Sequence, residues 1–317
     1  MGSDIVPVTV VVCCYNQQDY IVDCVKGVFS QDYPVFEFIF SDDCSTDSCF
    51  DFLQKAVAEF GKGRNVVVRR NDKNLGLIDH INLVLGLAQG ELLVLAAGDD
   101  ISLPQRVSRL VDTYQSNDKP MLIHSKALVI DQLGDLTGEV VPAEELRRVP
   151  MIGDVAFFCS IYLGASGAWS RELLDRFGSI NYRYTYEDLV MGFRAALCGR
   201  VAYLDEAVLH YREGVGVSSA WRGVETIESR LARIRLERDT LLQRIDDVRH
   251  FTGVMPVWFA SLRKRASRLI VRADFYENRR ALLKHLFLMP RAFLSGISTE
   301  FKFVRNIMGS AKSSGLH

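Results

Sequence analysis

Residues 8–16 read VTVVVCCYN. Five β-branched residues in a row, Val8 to Val12, favour an extended backbone, because branching at Cβ packs well on a pleated surface. Apart from Thr9 the run is apolar at every position, so both faces of the strand must be covered. That places it inside a parallel sheet with helices above and below. The run then stops abruptly on Cys13, Cys14, Tyr15 and Asn16, an ending able to meet a ligand, since sheets of this class bind beyond the carboxyl ends of their strands.

Working outward, further strands are expected at Phe36–Phe40, Val66–Arg69, Glu91–Ala97 and Met121–His124. Amphipathic helical patterns separate them at Tyr20–Ser30, Phe50–Phe60, Ile78–Ala88 and Gln105–Tyr114. Short apolar runs alternating with helices predict an α/β architecture with a mainly parallel mixed sheet. Residues 126–220 are more mixed, with a loop over Asp131–Val149, a glycine-rich stretch Gly164–Gly167 and a helix from Glu187 to Cys198. From Val224 the pattern is helical. Ile227, Leu231, Ile234, Leu241, Ile245 and Val248 step by four and three, interrupted by Arg238, and form a seam that packs within or between chains. Basic amphipathic helices follow over Val257–Tyr276 and Arg279–Met308, punctuated by Pro290 and Gly296. The expected division is therefore residues 1–220 as one α/β domain and 221–317 as a helical extension.

The net charge of −1 conceals an asymmetry. Residues 262–317 hold 12 Lys/Arg against 3 Asp/Glu, a net +9, and residues 1–261 hold 26 against 36, a net −10. A basic tail on an acidic body suits an anionic membrane surface, a solvated helix face or a subunit contact; nothing in the pattern calls for nucleic acid. Seven cysteines, none in Cys-x-x-Cys spacing, read as reduced thiols of a cytosolic protein rather than a zinc site. No apolar run approaches the ~18–20 residues of a membrane-crossing helix, and no leader pattern opens the chain. The expected location is cytoplasmic, peripheral on the inner face of the cell membrane.

Three carboxylate stretches carry the chemistry. Ser41-Asp42-Asp43-Cys44-Ser45-Thr46-Asp47 follows the second strand, where an aspartate can cap the next helix or accept from a base N–H and ribose hydroxyls. Asp99-Asp100 ends another strand, and such a pair forms a polar turn or holds a hard divalent ion whose remaining ligands are water and phosphate oxygens. Tyr186-Glu187-Asp188-Leu189 opens a helix, where acids offset the helix dipole or serve as a base.

Seven segments in order, VTVVVCCYN, DDCSTD, NLGL, GELLVLAAGDDISLPQR, GASGAWSRELLDRFG, YEDLVMGFRA and YLDEAVLHYREG, resemble the family-2 glycosyltransferases over about Val8–Ser219. The resemblance implies the GT-A (Rossmann-like) fold and inverting sugar transfer from a nucleotide-sugar. It implies that Cys13, Tyr15 and Asn16 border the nucleotide, that Asp43 bonds the base with Asp42 behind it, and that Asp99 faces ribose or sugar. Asp100 would hold Mn2+ or Mg2+, Asp188 would be the general base, and Glu187 would orient beside it. Gly167 and Trp169 would border donor and acceptor sugars, Trp169 serving either as a core side chain or as a sugar platform. Two positions depart from the family's pattern: Ala97 replaces a common aspartate, and Gly214 stands where many relatives have a histidine. His210, just upstream, is then a candidate metal ligand, and Arg212 with Gly214-Val215-Gly216 a candidate diphosphate contact.

The expected function is transfer from a UDP-sugar to a hydroxyl of a glycan, lipid-linked and of the bacterial surface type. Homo-oligomers through the C-terminal helices are a further expected partnership. A processive synthase is disfavoured because neither transmembrane helices nor a Gln-x-x-Arg-Trp motif occurs. A nucleotidyltransferase is disfavoured because no glycine-rich basic loop follows the first strand. The competing reading from another class is a catalytically silent nucleotide-sugar sensor or scaffold.

Overall fold

The computed structural model describes residues 5–141, 152–157, 160–216, 225–253 and 255–313, without the side chains of Asp154, Arg279 and residues 307–313. It divides into two compact units, Met1–Ala220 and Trp221–His317.

In the first unit, β1 (Val8–Cys14) lies between β2 (Glu37–Asp42) and β4 (Leu92–Ala97), parallel to both, with β3 (Val66–Arg70) beyond β2. Nearly every side chain of β1 is buried, as its unbroken β-branched run requires. Val8, Val10, Val12 and Cys14 point into a core shared with α1 (Ile21–Phe29), α2 (Cys49–Phe60) and α4 (Arg106–Ser116). On the other face, α3 (Leu77–Leu87) packs on β1, and Ile78 joins Ile180 and Val190 in a second core. Val190 belongs to α7 (Glu187–Leu197), which packs on β6 (Leu122–Ile130) and β9 (Val201–Arg212).

Beyond β4 the sheet changes character. The order is β3-β2-β1-β4-β8-β6-β9-β5, where β8 (Ala168–Ser170) is antiparallel to β4 and β6. β6 and β9 run parallel, and β5 (Ile101–Ser102) is antiparallel to β9. The stretch expected as a loop from Asp131 instead begins with a hairpin. An Asx turn, in which the Asp131 carboxylate accepts from Leu133 and Asp135 N–H at 2.8 and 3.0 Å, returns the chain as β7 (Leu136–Val141) beside β6. The α5 turn (Ile152–Val155), a 3-10 turn at Gly164–Ser166 and α6 (Arg171–Phe177) complete this unit.

The register sets the site. Cys13 stands opposite both Ser41 and Ala97, and Cys14 opposite Asp42, so three strands end level and discharge their carboxylate loops side by side.

The second unit consists of α8 (Ile227–Phe251), α9 (Phe259–Glu277), α10 (Arg279–Leu288) and α11 (Pro290–Ser313). A capping box between Thr226 and Ser229 starts α8. Its seam packs against α9 in the same chain, with Ile234, Leu241, Ile245 and Val248 buried. Pro290 separates α10 from α11, but Gly296 does not interrupt α11. A Cβ there would lie 3.0 Å from Val271 Cγ1, so the glycine permits a close crossing with α9. The unit is pinned by Glu300, whose carboxylate is fully buried and accepts from Arg230 at 2.6 and 3.1 Å, Arg272 at 2.5 Å and Tyr276 at 2.6 Å. Three donors hold its pKa below the usual range against the opposing effect of burial. Glu300→Ala would take the carboxylate from Arg272 and leave Arg230 with Glu225 at 3.4 Å, and is expected to cost about 3–5 kcal/mol in chemical denaturation; a loss below about 1 kcal/mol would show the cluster to be solvated.

Candidate active site

A cavity of about 600 Å³ opens at the level strand ends. Asp43, Asp99, Asp100, Glu187 and Asp188, delivered by β2, β4 and α7, all line it. Its floor is the backbone turn of Cys13, Cys14 and Ala97, and Tyr15, 43% exposed, stands at its edge.

Asp42 and Asn16 are locking groups. The Asp42 carboxylate is fully buried beneath the floor, accepting from Ser45 N–H at 2.9 Å and from the Ser45 hydroxyl, with Arg70 Nε at 3.3 Å. Asn16 adopts a left-handed φ of 54°, which asparagine tolerates, and its Oδ1 accepts from Thr46 N–H at 2.8 Å. Neither side chain lines the cavity. The sequence assigned both to the nucleotide; the geometry has them fastening the loop that carries Asp43.

Asp43 lies at the wall but is heavily bonded. Its Oδ1 accepts from Asn71 Nδ2 at 2.6 Å and Leu75 N–H at 2.9 Å, and its Oδ2 accepts from Gly76 N–H at 2.9 Å. Gly76 has φ 80°, with open space where a Cβ would be, so its conformation rather than crowding asks for glycine. Asp43 thus ties the NLGL segment to β2. Behind it, Arg69 donates to Ser41 Oγ and Asn71 Oδ1, each at 2.6 Å, and His80 Nε2 lies 2.7 Å from the same serine. Burial holds the His80 pKa below normal. His80 lines the cavity, a position the sequence reading passed over because a lone histidine in a helical pattern carries no signal.

Asp99 and Asp100 are both buried beside the cavity. Burial raises the Asp99 pKa, and burial followed by the Asp99 charge raises that of Asp100 well above the carboxylate range. Asp100 Oδ1 accepts from Arg212 N–H at 2.9 Å. The Arg212 guanidinium donates to carbonyls of Asp99, Asp131 and Gln132 at 3.0, 2.9 and 3.2 Å and lies 4.6 Å from the Tyr20 ring. Arg212 therefore lines the cavity while bracing the aspartate turn. Gly216, at φ 71°, sits so that a Cβ would be 2.8 Å from Asp99 Oδ2. Two dehydrated, mutually repelling carboxyls supply hard oxygen donors, and a hard divalent cation would relieve both; the pair fits Mg2+ or Mn2+.

Among the described residues, one group of three His, Cys, Asp or Glu donors falls within 4.8 Å of one another: Cys14, Asp42 and Cys49. It lies under the floor, and its carboxylate is already engaged by Ser45 and Arg70. The six described cysteines are free thiols; Cys159 lies outside the described residues.

On the far wall, Glu187 and Asp188 open α7. Burial, then the charge of Asp188, lifts the Glu187 pKa to about 8. Gly164 lies so close that its Cβ would be 2.7 Å from Glu187 Oε1. Arg106, fully buried, links the two walls by donating to the Leu95 and Ala165 carbonyls, both at 2.7 Å. It closed the segment GELLVLAAGDDISLPQR but was given no role there.

Three candidates fall elsewhere. His210 does not line the cavity, whereas the next two residues of β9, Tyr211 and Arg212, do. Trp169 is fully buried and donates through Nε1 to Tyr162 Oη at 3.1 Å, which makes it core rather than a sugar platform. Gly167 serves the same packing: a Cβ would meet Tyr162 Cε2 at 2.7 Å.

The family model described as "Glycosyl transferase family 2" matches residues 9–134. An uncharacterized glycosyltransferase of Haemophilus influenzae is 31% identical over 212 residues, 65% of each chain. Escherichia coli WfaP, named a UDP-Glc:alpha-D-GlcNAc-diphosphoundecaprenol beta-1,3-glucosyltransferase, is 25% identical over 57% of this chain and 65% of its own. The matched segment thus spans just under two thirds of either relative. Staphylococcus aureus TarS 1–349, solved with UDP-GlcNAc, superposes with a TM-score of 0.60 at 18% identity, covering 85% of this chain and 73% of that one. The fold is GT-A.

The raised Glu187 pKa has a stability consequence. The folded chain keeps a proton there that the unfolded chain loses near pH 4.5, so stability declines as pH rises from about 4.5 through about 8. Glu187→Gln is expected to flatten this decline in thermal melts across that window; identical slopes would mean Glu187 is solvated.

Proposed function

We propose that the chain is a family-2 glycosyltransferase, which it resembles over residues 9–134, and that it transfers a sugar, with inversion, from a UDP-sugar to a hydroxyl of a lipid-linked surface glycan. The observation that carries this reading is that acids from three separate elements, Asp43, Asp100 and Asp188, wall one cavity. The WfaP name, with its UDP-glucose donor and diphosphoundecaprenol acceptor, and the UDP-GlcNAc complex of TarS support the choice of donor and acceptor class.

In this reading the nucleotide enters at Tyr15 and Asp43. Asp43 accepts from the base while the Asn71, Leu75 and Gly76 donors keep it aimed. Asp99 and Asp100 would hold Mn2+ or Mg2+ at the diphosphate; when bound, such an ion stabilises charge on the departing UDP. Arg212 keeps the two carboxyls in place through its contacts with the Asp99 carbonyl and Asp100 carboxylate. Asp188 takes the proton of the acceptor hydroxyl as that oxygen attacks the anomeric carbon from the face opposite UDP. Burial, then the charge of Asp188, lifts the Glu187 pKa to about 8, so Glu187 carries a proton beside Asp188 at neutral pH. One base and no covalent intermediate give inversion.

Asp188→Asn is expected to lower transfer by about 10²–10⁴-fold while UDP affinity changes by less than about threefold. Transfer and donor hydrolysis measured with UDP-, GDP- and dTDP-sugars check this, and retained turnover would remove Asp188 as base. Chelation should abolish transfer, and Mn2+ or Mg2+ should restore it in the wild type but poorly in Asp100→Asn. Full activity in excess chelator would contradict the assignment of Asp99 and Asp100.

A further inference from the structure

The second unit carries a surface that the transferase reading leaves unused. On α10, Leu283, Phe287 and Leu288 are 65%, 83% and 75% exposed, and Leu294 in the first turns of α11 is 67% exposed. Leu283, Leu286 and Phe287 share one side of α10 by their three- and four-residue spacing. Exposed Arg280 and Lys284 follow on the adjoining sector, and exposed Arg291 begins α11. One acid, Glu300, occurs anywhere in α10 and α11, and it is buried against Arg230 and Arg272. Among the described residues, the exposed face of these two helices therefore presents apolar side chains and cations without a compensating carboxylate. The carboxylate of Asp274 on α9 is paired with His285 of α10 at 2.6 Å rather than with the exposed cations.

Charge decides what can cover such a face. A second copy of the chain, meeting it face to face about a two-fold axis, would bring together two faces that both carry Arg280, Lys284 and Arg291 and so the same sign of charge. A neutral apolar partner would leave the cations desolvated without counter-charge. A bilayer surface containing anionic lipid satisfies both demands: acyl chains receive the apolar side chains and phosphates receive the cations, with no matching groove required. None of the described helices is long and apolar enough to cross a membrane, so the element lies along the surface. We propose that α10 and the first turns of α11 form an in-plane anchor for an anionic lipid surface, independent of the transferase reading.

Vesicle flotation of the full chain, without any sugar donor, tests this directly. Binding to vesicles of phosphatidylcholine mixed with phosphatidylglycerol is expected to exceed that to phosphatidylcholine alone by at least about ten-fold, and to fall with added salt. The variant Leu283→Ser/Phe287→Ser/Leu294→Ser should lose about ten-fold or more of that binding. Arg280→Glu/Lys284→Glu/Arg291→Glu should lose the preference for anionic vesicles. All the changed positions are exposed, so thermal melts should match the wild type. Equal wild-type binding to both vesicle types, or binding unchanged in both variants, overturns the proposal. So does a wild type that ignores vesicles but self-associates until the serine variant makes it monomeric, which would assign the face to a second copy.

Discussion

The structure rests on one constraint: β1 is paired in parallel on both edges, in register with Ser41 on one side and Ala97 on the other. A strand so enclosed can carry only apolar, mostly β-branched residues, and its neighbours must end where it ends. Polar loops consequently leave β1, β2 and β4 at one level. The acids they carry are gathered into a space that α7 closes from the far side with Glu187 and Asp188. Bringing these carboxyls together out of water raises their proton affinity, as at Asp99, Asp100 and Glu187. The site is therefore held under electrostatic strain that cationic and hydrogen-bonding ligands relieve.

The first shell of polar neighbours does two distinct jobs. Asp42, Asn16, Ser45 and Arg70 form a lock under the loop that carries Asp43, whereas Arg106 and Arg212 are cationic braces around the turn that carries Asp99 and Asp100. Both arginines give donors to main-chain carbonyls, so they position the turns around them while remaining near the carboxylates. An acid such as Asp43, with three donors already in place, is fixed in direction before any ligand arrives. This preorganisation is what a nucleotide pocket needs in order to avoid reordering on binding.

Much of this was legible in the chain. β1 and the four helices of the first 125 residues appear where period and composition place them, because each segment obeys a single burial pattern over at least five residues. β5, β8 and the β7 hairpin were not, since strands of two or three residues are too short to show a period and β7 is exposed along nearly its whole length. Asp43, Asp99, Asp100, Glu187 and Asp188, marked out by their place at strand and helix ends, line one cavity. Trp169, Gly167 and His210 do not line the cavity, because nearness along the chain to a candidate residue does not say which way a residue faces. His80 and Arg106 were missed for the opposite reason: their role appears only when distant carbonyls and hydroxyls are brought to them. In the helical unit, Glu300 was invisible as an anchor, since its three partners lie 24 to 70 positions away.

The most direct measurement of the central claim is a crystal structure of the chain soaked with a UDP-sugar and Mn2+. The account predicts the uracil beside Tyr15 and Asp43, the diphosphate at Asp99 and Asp100, and the free face of the anomeric carbon turned toward Asp188. A donor bound outside this cavity, or one whose sugar faces away from α7, would contradict it.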